Sequence, residues 1–565
     1  MTESCKTNHG HQTKVMVIGM DGATFDVINP LISQGKLPHL QSLIQEGVSG
    51  PLKSTLPPLS AAAWSTFQTG KNPGKHGIFD FLRNCPGEYS CTVVNSTFLK
   101  SKTLWEILSE NRRSVGVLNV MFNYPPREVN GFIVSGKETP DEQKEYTYPR
   151  SLKQKILQFE PKYQAEPFRR VYQTKSFLKK VPVLLKRQER VNSYLLNKYS
   201  PDFFMNLFAI PDIIHHLFWK YIDSSHPHYC EKKSRQYLPL IERCYQTLDD
   251  IVGGRMQMVD KDTVVIIMSD HGGGGLHKIV QLNRWLKEQG LLSLKEEPSV
   301  NTSLLSKSIR ELTRRLHDHL VMHDSFGFIK KLKLKTIGRR QASAKNAIDW
   351  PNTKAFAGRN SEHGIYCNVK GREKEGVVSP GKEYEELREF IILQLRTLTD
   401  SETGLKIFKH IYKREEIYMG PYVLYAPDII LDFGNNPYVQ GTALLDWEVI
   451  EEVRMNRFSG MHRPDGILIA RGKGIKKGTS IQGACIYDLA PTILYMMGVK
   501  IPLDMDGKVL YDLFEPSLID KNVIEYEKAE ASTSTNKEEK KGIELTYSDK
   551  ETEEIEERLR SLGYL

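Results

Sequence analysis

Five short polar clusters carry the residues whose types and spacing could do chemistry. They are Asp21 in VMVIGMDGAT, Ser60 in LPPLSAAAWSTFQTG, Asp212 and His216 in IPDIIHH, Asp270 with His271 in IIMSDHGGGG, and His462 in SGMHRPDG. Carboxylate oxygens, imidazole nitrogens and a hydroxyl are together enough to ligate two divalent metal ions beside one nucleophilic serine. Spacing strengthens two of the clusters. If the segment after Pro211 is helical, Asp212 and His216 stand four apart on one face and grip one ion, while His215 points elsewhere. The adjacent Asp270 and His271 run into four glycines, a sequence that lets backbone approach a ligand closely.

Each residue also has an ordinary explanation. An Asp after a strand commonly caps a helix, a histidine in an apolar stretch is commonly a hydrogen-bonded core residue, and a glycine run can be a flexible turn. Ser60 follows Pro57 and Pro58 and opens the run Ala61, Ala62, Ala63, Trp64, which reads as the first turn of a helix with Ser60 near its N-cap. The same helix start, with exposed N–H groups and a positive dipole end, favours a bound phosphate. A metal touching the hydroxyl there would lower its pKa enough to make it a nucleophile.

The elements that must position these residues are legible in part. Val15 to Gly19, Phe203 to Ile210 and Val264 to Met268 are short, nearly continuous apolar runs, as expected of strands buried on both faces. Asp21, Asp212 and Asp270 each follow one of these runs, where open α/β sheets bind ligands outside the carboxyl ends of their strands. The fold class expected is α/β, a doubly wound and mostly parallel sheet with helical cap insertions.

The order Asp21, Ser60, Asp212-x3-His216, Asp270-His271, His462 resembles the alkaline phosphatase superfamily, and Ser60 to Phe81, with TGKNPGKHGIFDF, resembles its type I phosphodiesterase/nucleotide pyrophosphatase branch. The resemblance spans Val15 to Phe514 and includes the closing helix and turn DLAPTILYMMGVKIPLDMDG. It implies an alkaline phosphatase-like fold and hydrolysis of phosphate esters, diesters first, through a phosphoserine at Ser60. One ion would take Asp212, His216 and His462, and the other Asp21, Asp270, His271 and the Ser60 oxygen. Zinc suits two imidazoles and one carboxylate without a thiolate, with manganese as the alternative.

Two departures bear on the substrate. Relatives of the nucleotide pyrophosphatase type carry an Asn twenty-one positions after the nucleophile, where this chain has Phe81. Sulfatases place Pro and Arg two and four positions after the modified residue, where this chain has Ala62 and Trp64. Arg83, Arg359 and His363 are the candidates for clamping a terminal phosphate, which would make a phosphomonoesterase or phosphonate hydrolase the second enzyme reading. A catalytically idle protein that binds a phosphorylated partner is the reading from another class.

Composition sets outer bounds. In 565 residues the ligand set runs from Asp21 to His462, so one interrupted catalytic domain over 12–515 is expected, followed by a charged linker and C-terminal amphipathic helix over 516–565. No apolar run approaches the roughly 20 residues that cross a bilayer. The start, MTESCKTNHGHQTK, has no apolar signal core, and the seven cysteines lack CxxC spacing, so a cytoplasmic protein with reduced thiols is expected. A bond between Cys85 and Cys91 would close a small loop, against the expectation of reduced thiols.

The net charge of +9 is mild, and basic runs such as Lys175 to Arg190 and Lys330 to Arg340 come without a nucleic-acid module. They read as solvated helix faces, with attraction of an anionic substrate or peripheral contact with an anionic membrane surface as the functional alternative. The partner expected is a small phosphate ester or phosphodiester substrate. Pro149 to Ser200 and Pro298 to Ala347 read as helical insertions, either caps over the site or peripheral packing helices. After the linker at Lys528 to Lys541, Ile555, Leu559 and Leu562 form a helical stripe that must dock on this chain or a partner.

Overall fold

Valine, isoleucine and phenylalanine favour strands because branched and aromatic side chains fit a pleated surface, and an unbroken apolar run needs cover on both faces. The computed structural model describes residues 13–562 apart from 86, 170, 296–346, 360, 445–447, 454–457, 520–523 and 529–546. The three runs become strands Val15–Met20, Phe203–Phe208 and Val264–Met268, buried along their whole length. Ile210 instead opens a helix. Val15–Met20 lies between the other two and parallel to both, with Val15 level with Phe203 and with Val264. Their carboxyl ends therefore finish at one edge of the sheet.

On one side the sheet continues through Val115–Leu118, Gly131–Val134 and Thr147–Tyr148. On the other it continues through Asp465–Arg471, Val48–Lys53 and Thr479–Ser480, with Ala484–Cys485 also on Val48–Lys53. Asp465–Arg471 runs antiparallel to both neighbours and Thr147–Tyr148 is antiparallel at its edge; the other pairs are parallel. The molecule is thus α/β with a mostly parallel central sheet. Helix Glu231–Met258 packs with Pro38–Gln45, Lys175–Tyr199 and Ile210–Ile222, while Ser60–Thr69, Leu104–Glu110 and Leu489–Met496 pack with one another.

The first insertion takes the packing alternative. Helix Lys175–Tyr199 buries Val181, Leu185, Val191 and Leu195 in the same core as the strands, and Gln188 donates to the carbonyl of Leu207 in the Phe203–Phe208 strand. It is a layer on the sheet, with Lys179, Lys180, Lys186 and Arg190 on its exposed face, so it is not the cap that one reading of this basic segment expected. The second insertion, at 298–347, lies outside the described residues except for Ala347, as does the basic run at 330–340.

A second hydrophobic cluster lies apart from the sheet's core. Short antiparallel strands Ala355–Ala357, Gly364–Cys367, Ile429–Asp432 and His410–Lys413 pack with helix Lys382–Arg396 around Ile365, Ile391 and Leu431. The C-terminal helix Asp549–Leu562 docks on its own chain, with Ile555, Leu559 and Leu562 in the main core. Cys85, Cys91, Cys230, Cys244, Cys367 and Cys485 are free thiols, so no bond closes the Cys85 to Cys91 loop. No described helix is long and apolar enough to cross a membrane.

Candidate active site

Asp21 leaves the Val15–Met20 strand, and its backbone N–H donates to the carbonyl of Phe208, 3.0 Å away at the end of the neighbouring strand. The next residue must be small: Gly22 has φ +69°, and a Cβ there would meet the Cβ of Asp212 at 2.8 Å. Its N–H donates to Asp270 Oδ1 at 3.1 Å. One turn thereby gathers three acids from three strand ends.

Asp212 and His216 lie on helix Ile210–Ile222, whose N-cap is Ala209. Asp212 is therefore not the cap, and the four-residue spacing brings its Oδ1 to 3.3 Å from His216 Nε2. His462 arrives on strand Gly460–Arg463, paired antiparallel with Gly272–Gly275 so that His462 faces Gly273. His462 Nε2 stands 3.4 Å from Asp212 Oδ1 and 2.9 Å from His216 Nε2. His215 turns away, as expected: its Nε2 bonds to the Tyr245 hydroxyl at 2.6 Å, and burial pushes its pKa down to about 3.

The four glycines are neither a turn nor a backbone cradle for a ligand. They form a strand, and a Cβ would meet Asp465 O at 2.2 Å from Gly272, His215 Nδ1 at 2.3 Å from Gly273 and Arg463 Nε at 2.4 Å from Gly274. Close packing of protein against protein is what requires glycine there. Ser60 also departs from its ordinary reading. It is the first residue of helix Ser60–Thr69, Leu59 is the N-cap, and no side chain caps that end. The Ser60 hydroxyl, fully buried, lies 3.0 Å from His271 Nε2 and 3.4 Å from Asp21 Oδ1.

The three imidazoles share one arrangement. Nδ1 of His216 faces Gly460 O at 3.0 Å, Nδ1 of His271 faces Gly272 O at 2.9 Å, and Nδ1 of His462 faces Pro58 O at 2.9 Å. A carbonyl only accepts, so each Nδ1 carries the proton, and in the neutral ring Nε2 carries none. Two such nitrogens, on His216 and His462, face each other at 2.9 Å, an arrangement that calls for a shared cation. Asp21 Oδ2 and Asp270 Oδ2 are buried without a hydrogen-bond partner. Atoms of Asp212, His216 and His462 lie within 4.8 Å of one another, as do those of Asp21, Asp270 and His271. The donor set fits two metal ions.

Charge points the same way. Burial, with the charges of Asp270 and Asp212, raises the Asp21 pKa well above the ordinary carboxylate range, and burial lifts Asp270 to about 7. Burial also acts on Asp212, but His216 and His462 outweigh it and hold its pKa low. Burial presses His216 down, and Asp212 more than reverses it.

The clamp candidates have other partners. Arg359 binds Asp80 at 3.0 Å and Asn84 at 2.7 Å and pairs with Glu362. Arg83 stacks over Phe98 and Tyr425, and the His363 ring packs against Phe433. Phe81 stacks on Phe122 with centroids 5.8 Å apart and is 2% exposed, so its ring is a core element and not an open face for substrate. The lysines of TGKNPGKHG pair with the closing segment, Lys71 with Asp504 and Lys75 with Asp506, each at 2.5 Å.

Sequence reasoning missed Lys137, in SGKETP after strand Gly131–Val134, whose Nζ is 4.0 Å from Asp21 Oδ2. The available signal was the same strand-end rule, hidden by a strand only four residues long.

The family model for type I phosphodiesterase/nucleotide pyrophosphatase matches residues 15–359, which hold every site residue except His462. Among solved structures, the chain is similar to human ectonucleotide pyrophosphatase/phosphodiesterase 5, at 14% identity over 89% of this chain and 100% of that one, with a TM-score of 0.47. It is also similar to phosphonoacetate hydrolase from Sinorhizobium meliloti 1021 in complex with phosphonoacetate, at 12% identity over 86% of this chain and 95% of that one, with a TM-score of 0.49. Among curated proteins, none matches. The match runs from the first strand of the sheet past five of the six acid and imidazole residues of the two groups, and the chain belongs to the type I phosphodiesterase/nucleotide pyrophosphatase family of the alkaline phosphatase superfamily.

Proposed function

We propose that the protein is a metal-dependent hydrolase of phosphate esters that prefers diesters and works through a phosphoserine at Ser60. The observation that carries this reading is the convergence of three imidazoles, each with Nδ1 facing a backbone carbonyl and Nε2 facing the site, and three buried carboxylates beside one serine hydroxyl that caps nothing. Asp212, His216 and His462 would hold one ion, and Asp21, Asp270, His271 and the Ser60 oxygen the other. Zinc fits this donor set, with manganese as the alternative. When bound, the ions lower the pKa of the serine hydroxyl and offset charge on the phosphoryl oxygens.

Ser60 Oγ attacks phosphorus in line, and its new bond forms as the bond to the leaving alcohol breaks. Water then attacks the phosphoserine, releases phosphate monoester and restores the hydroxyl. Ser60 Oγ lies 3.0 Å from His271 Nε2 and 3.4 Å from Asp21 Oδ1, the atoms that would share an ion with it, and its proton leaves to water while the leaving alkoxide takes one up. The preference for diesters is supported by the partners of the two arginine candidates, since Arg83 stacks over Phe98 and Tyr425 and Arg359 is held by Asp80, Asn84 and Glu362. A dianionic monoester has more charge to satisfy at such a site. We read residues 12–515 as the catalytic domain.

The test is hydrolysis of bis-(p-nitrophenyl) phosphate and p-nitrophenyl phosphate by the purified protein with zinc or manganese. Higher kcat/KM for the diester is expected. Faster monoester turnover across several metals would replace this reading by a monoesterase, and no turnover together with no bound metal would favour an idle binding protein.

A further inference from the structure

We propose that the C-terminal helix Asp549–Leu562 is a positioning element of the active site, which holds Lys137 where its ammonium contacts an oxygen of the substrate phosphoryl group. The inference rests on the phosphate ester reading and adds a residue and a distant element to it.

Lys137 is an unusual lysine. Its side chain is 3% exposed, and its Nζ stands 4.0 Å from Asp21 Oδ2, too far for a hydrogen bond and close enough for charge attraction. Burying an ammonium is costly, so the fold must hold it there. The segment that carries it, Lys137 to Pro140, follows the end of a strand and is fixed by side chains donating to four consecutive carbonyls. Arg558 of the C-terminal helix donates to Lys137 O at 2.6 Å, Thr139 O at 3.0 Å and Pro140 O at 3.0 Å. Tyr547, just before the helix, donates to Glu138 O at 3.0 Å. Arg169 adds a bond of 2.6 Å to Pro140 O and one of 3.2 Å to Thr139 O.

The helix is itself well anchored. Ile555, Leu559 and Leu562 lie in the main core, and Glu551 pairs with Lys144 at 2.6 Å. Tyr547 stacks on Tyr124, on the loop that follows the neighbouring strand Val115–Leu118. A helix more than four hundred residues away in sequence thus spends its one buried guanidinium, 5% exposed, on the backbone that carries a lysine to the nucleophile's neighbour. Lys137 is the substrate-contacting group, and Arg558 and Tyr547 act through it.

The test uses full-length protein loaded with zinc. Lys137→Ala should lower kcat/KM for bis-(p-nitrophenyl) phosphate by roughly 10- to 100-fold and weaken binding of inorganic phosphate in calorimetry, with metal content unchanged. Arg558→Ala should lower kcat/KM by about tenfold and speed hydrogen exchange in 136–141. In the Lys137→Ala background, Arg558→Ala should cost nothing further, which a merely structural role would not produce. If Arg558→Ala fails to fold, Arg558→Lys and Tyr547→Phe carry the same cycle. Additive losses, or full activity and phosphate binding in variants whose 136–141 amides exchange faster, would overturn the proposal. If wild type binds zinc yet cleaves no phosphate ester, the ester reading fails, and the phosphate isotherms of the same variants still decide the role of Lys137.

Discussion

Asp212, His216 and His462 bring one carboxylate and two imidazoles together, whereas Asp21, Asp270 and His271 bring two carboxylates and one imidazole. In the first group the imidazoles satisfy the acid, and the Asp212 pKa is held low against burial. In the second the acids burden each other, burial and repulsion raise Asp21, and Asp270 rises to about 7. Ser60 touches only the second group, through His271 and Asp21. The contrast teaches a division of labour. The carboxylate-rich group, whose acids burial and repulsion push towards the neutral form, is the one a cation beside the nucleophile would relieve most, and the imidazole-rich group already satisfies its acid.

The largest expected effect comes from removing the hydroxyl that touches the second group. Ser60→Ala should lower kcat by at least about a thousandfold while leaving metal content near wild type, because in the proposed site the hydroxyl would be one ligand among several and it caps no helix end. Mass spectrometry of bound metal beside diester kinetics checks this; retained turnover would remove Ser60 from the mechanism. Next come the ligands. Asp270→Ala should empty the group beside Ser60, and His462→Ala the other, each reducing about two ions per chain to about one. The contrast sharpens if chelation also lowers unfolding stability by about 2.7 kcal/mol for each site previously held at a hundredfold excess over its Kd. Both ions retained in His462→Ala would place the third ligand of that group elsewhere.

A smaller effect is expected at Phe81. From sequence, Phe81→Asn alters substrate choice more than stability. The structure reverses that order, because the ring is buried and stacked on Phe122, and an amide in its place leaves a void and unsatisfied polar atoms. A loss of about 3 kcal/mol in denaturant unfolding is expected, with diester preference little changed. A stable variant with altered ester preference would return the ring to the substrate site.

The site was far more legible than its surroundings, for physical reasons. Asp21 and Asp270 follow short runs of Val, Ile and Met that suit buried strands, and the four-residue spacing of Asp212 and His216 fits one face of a helix. Strands of three or four residues, such as Ala355–Ala357 and Gly364–Cys367, leave too short a pattern to read, so the second cluster stayed hidden. Lys175–Tyr199 was ambiguous because lysine and arginine on its outer face mask a sheet-packing stripe. The contact of Arg558 with the Lys137 backbone could not be read at all, since carbonyl recognition leaves no residue-type signature on the accepting side.

The smallest effect expected is at His215, and it tests whether the helix Ile210–Ile222 places its two adjacent histidines in different trades. His216 presents Nε2 to Asp212 and His462, while His215 presents its Nε2 to the Tyr245 hydroxyl and its ring edge to Trp219. Phenylalanine is close to imidazole in shape but accepts no hydrogen bond, so His215→Phe leaves the buried hydroxyl of Tyr245 without that partner. The cost is about 1–3 kcal/mol of stability, and Tyr245→Phe added to it should recover part of that loss, since removing both polar partners together is nearly neutral. Metal content and kcat should stay within about twofold of wild type, because the substitution removes no donor from either ligand group. Loss of an ion in His215→Phe, with the fold intact by circular dichroism, would show that the two histidines share the site and that the boundary drawn between core and ligand on this helix is in the wrong place.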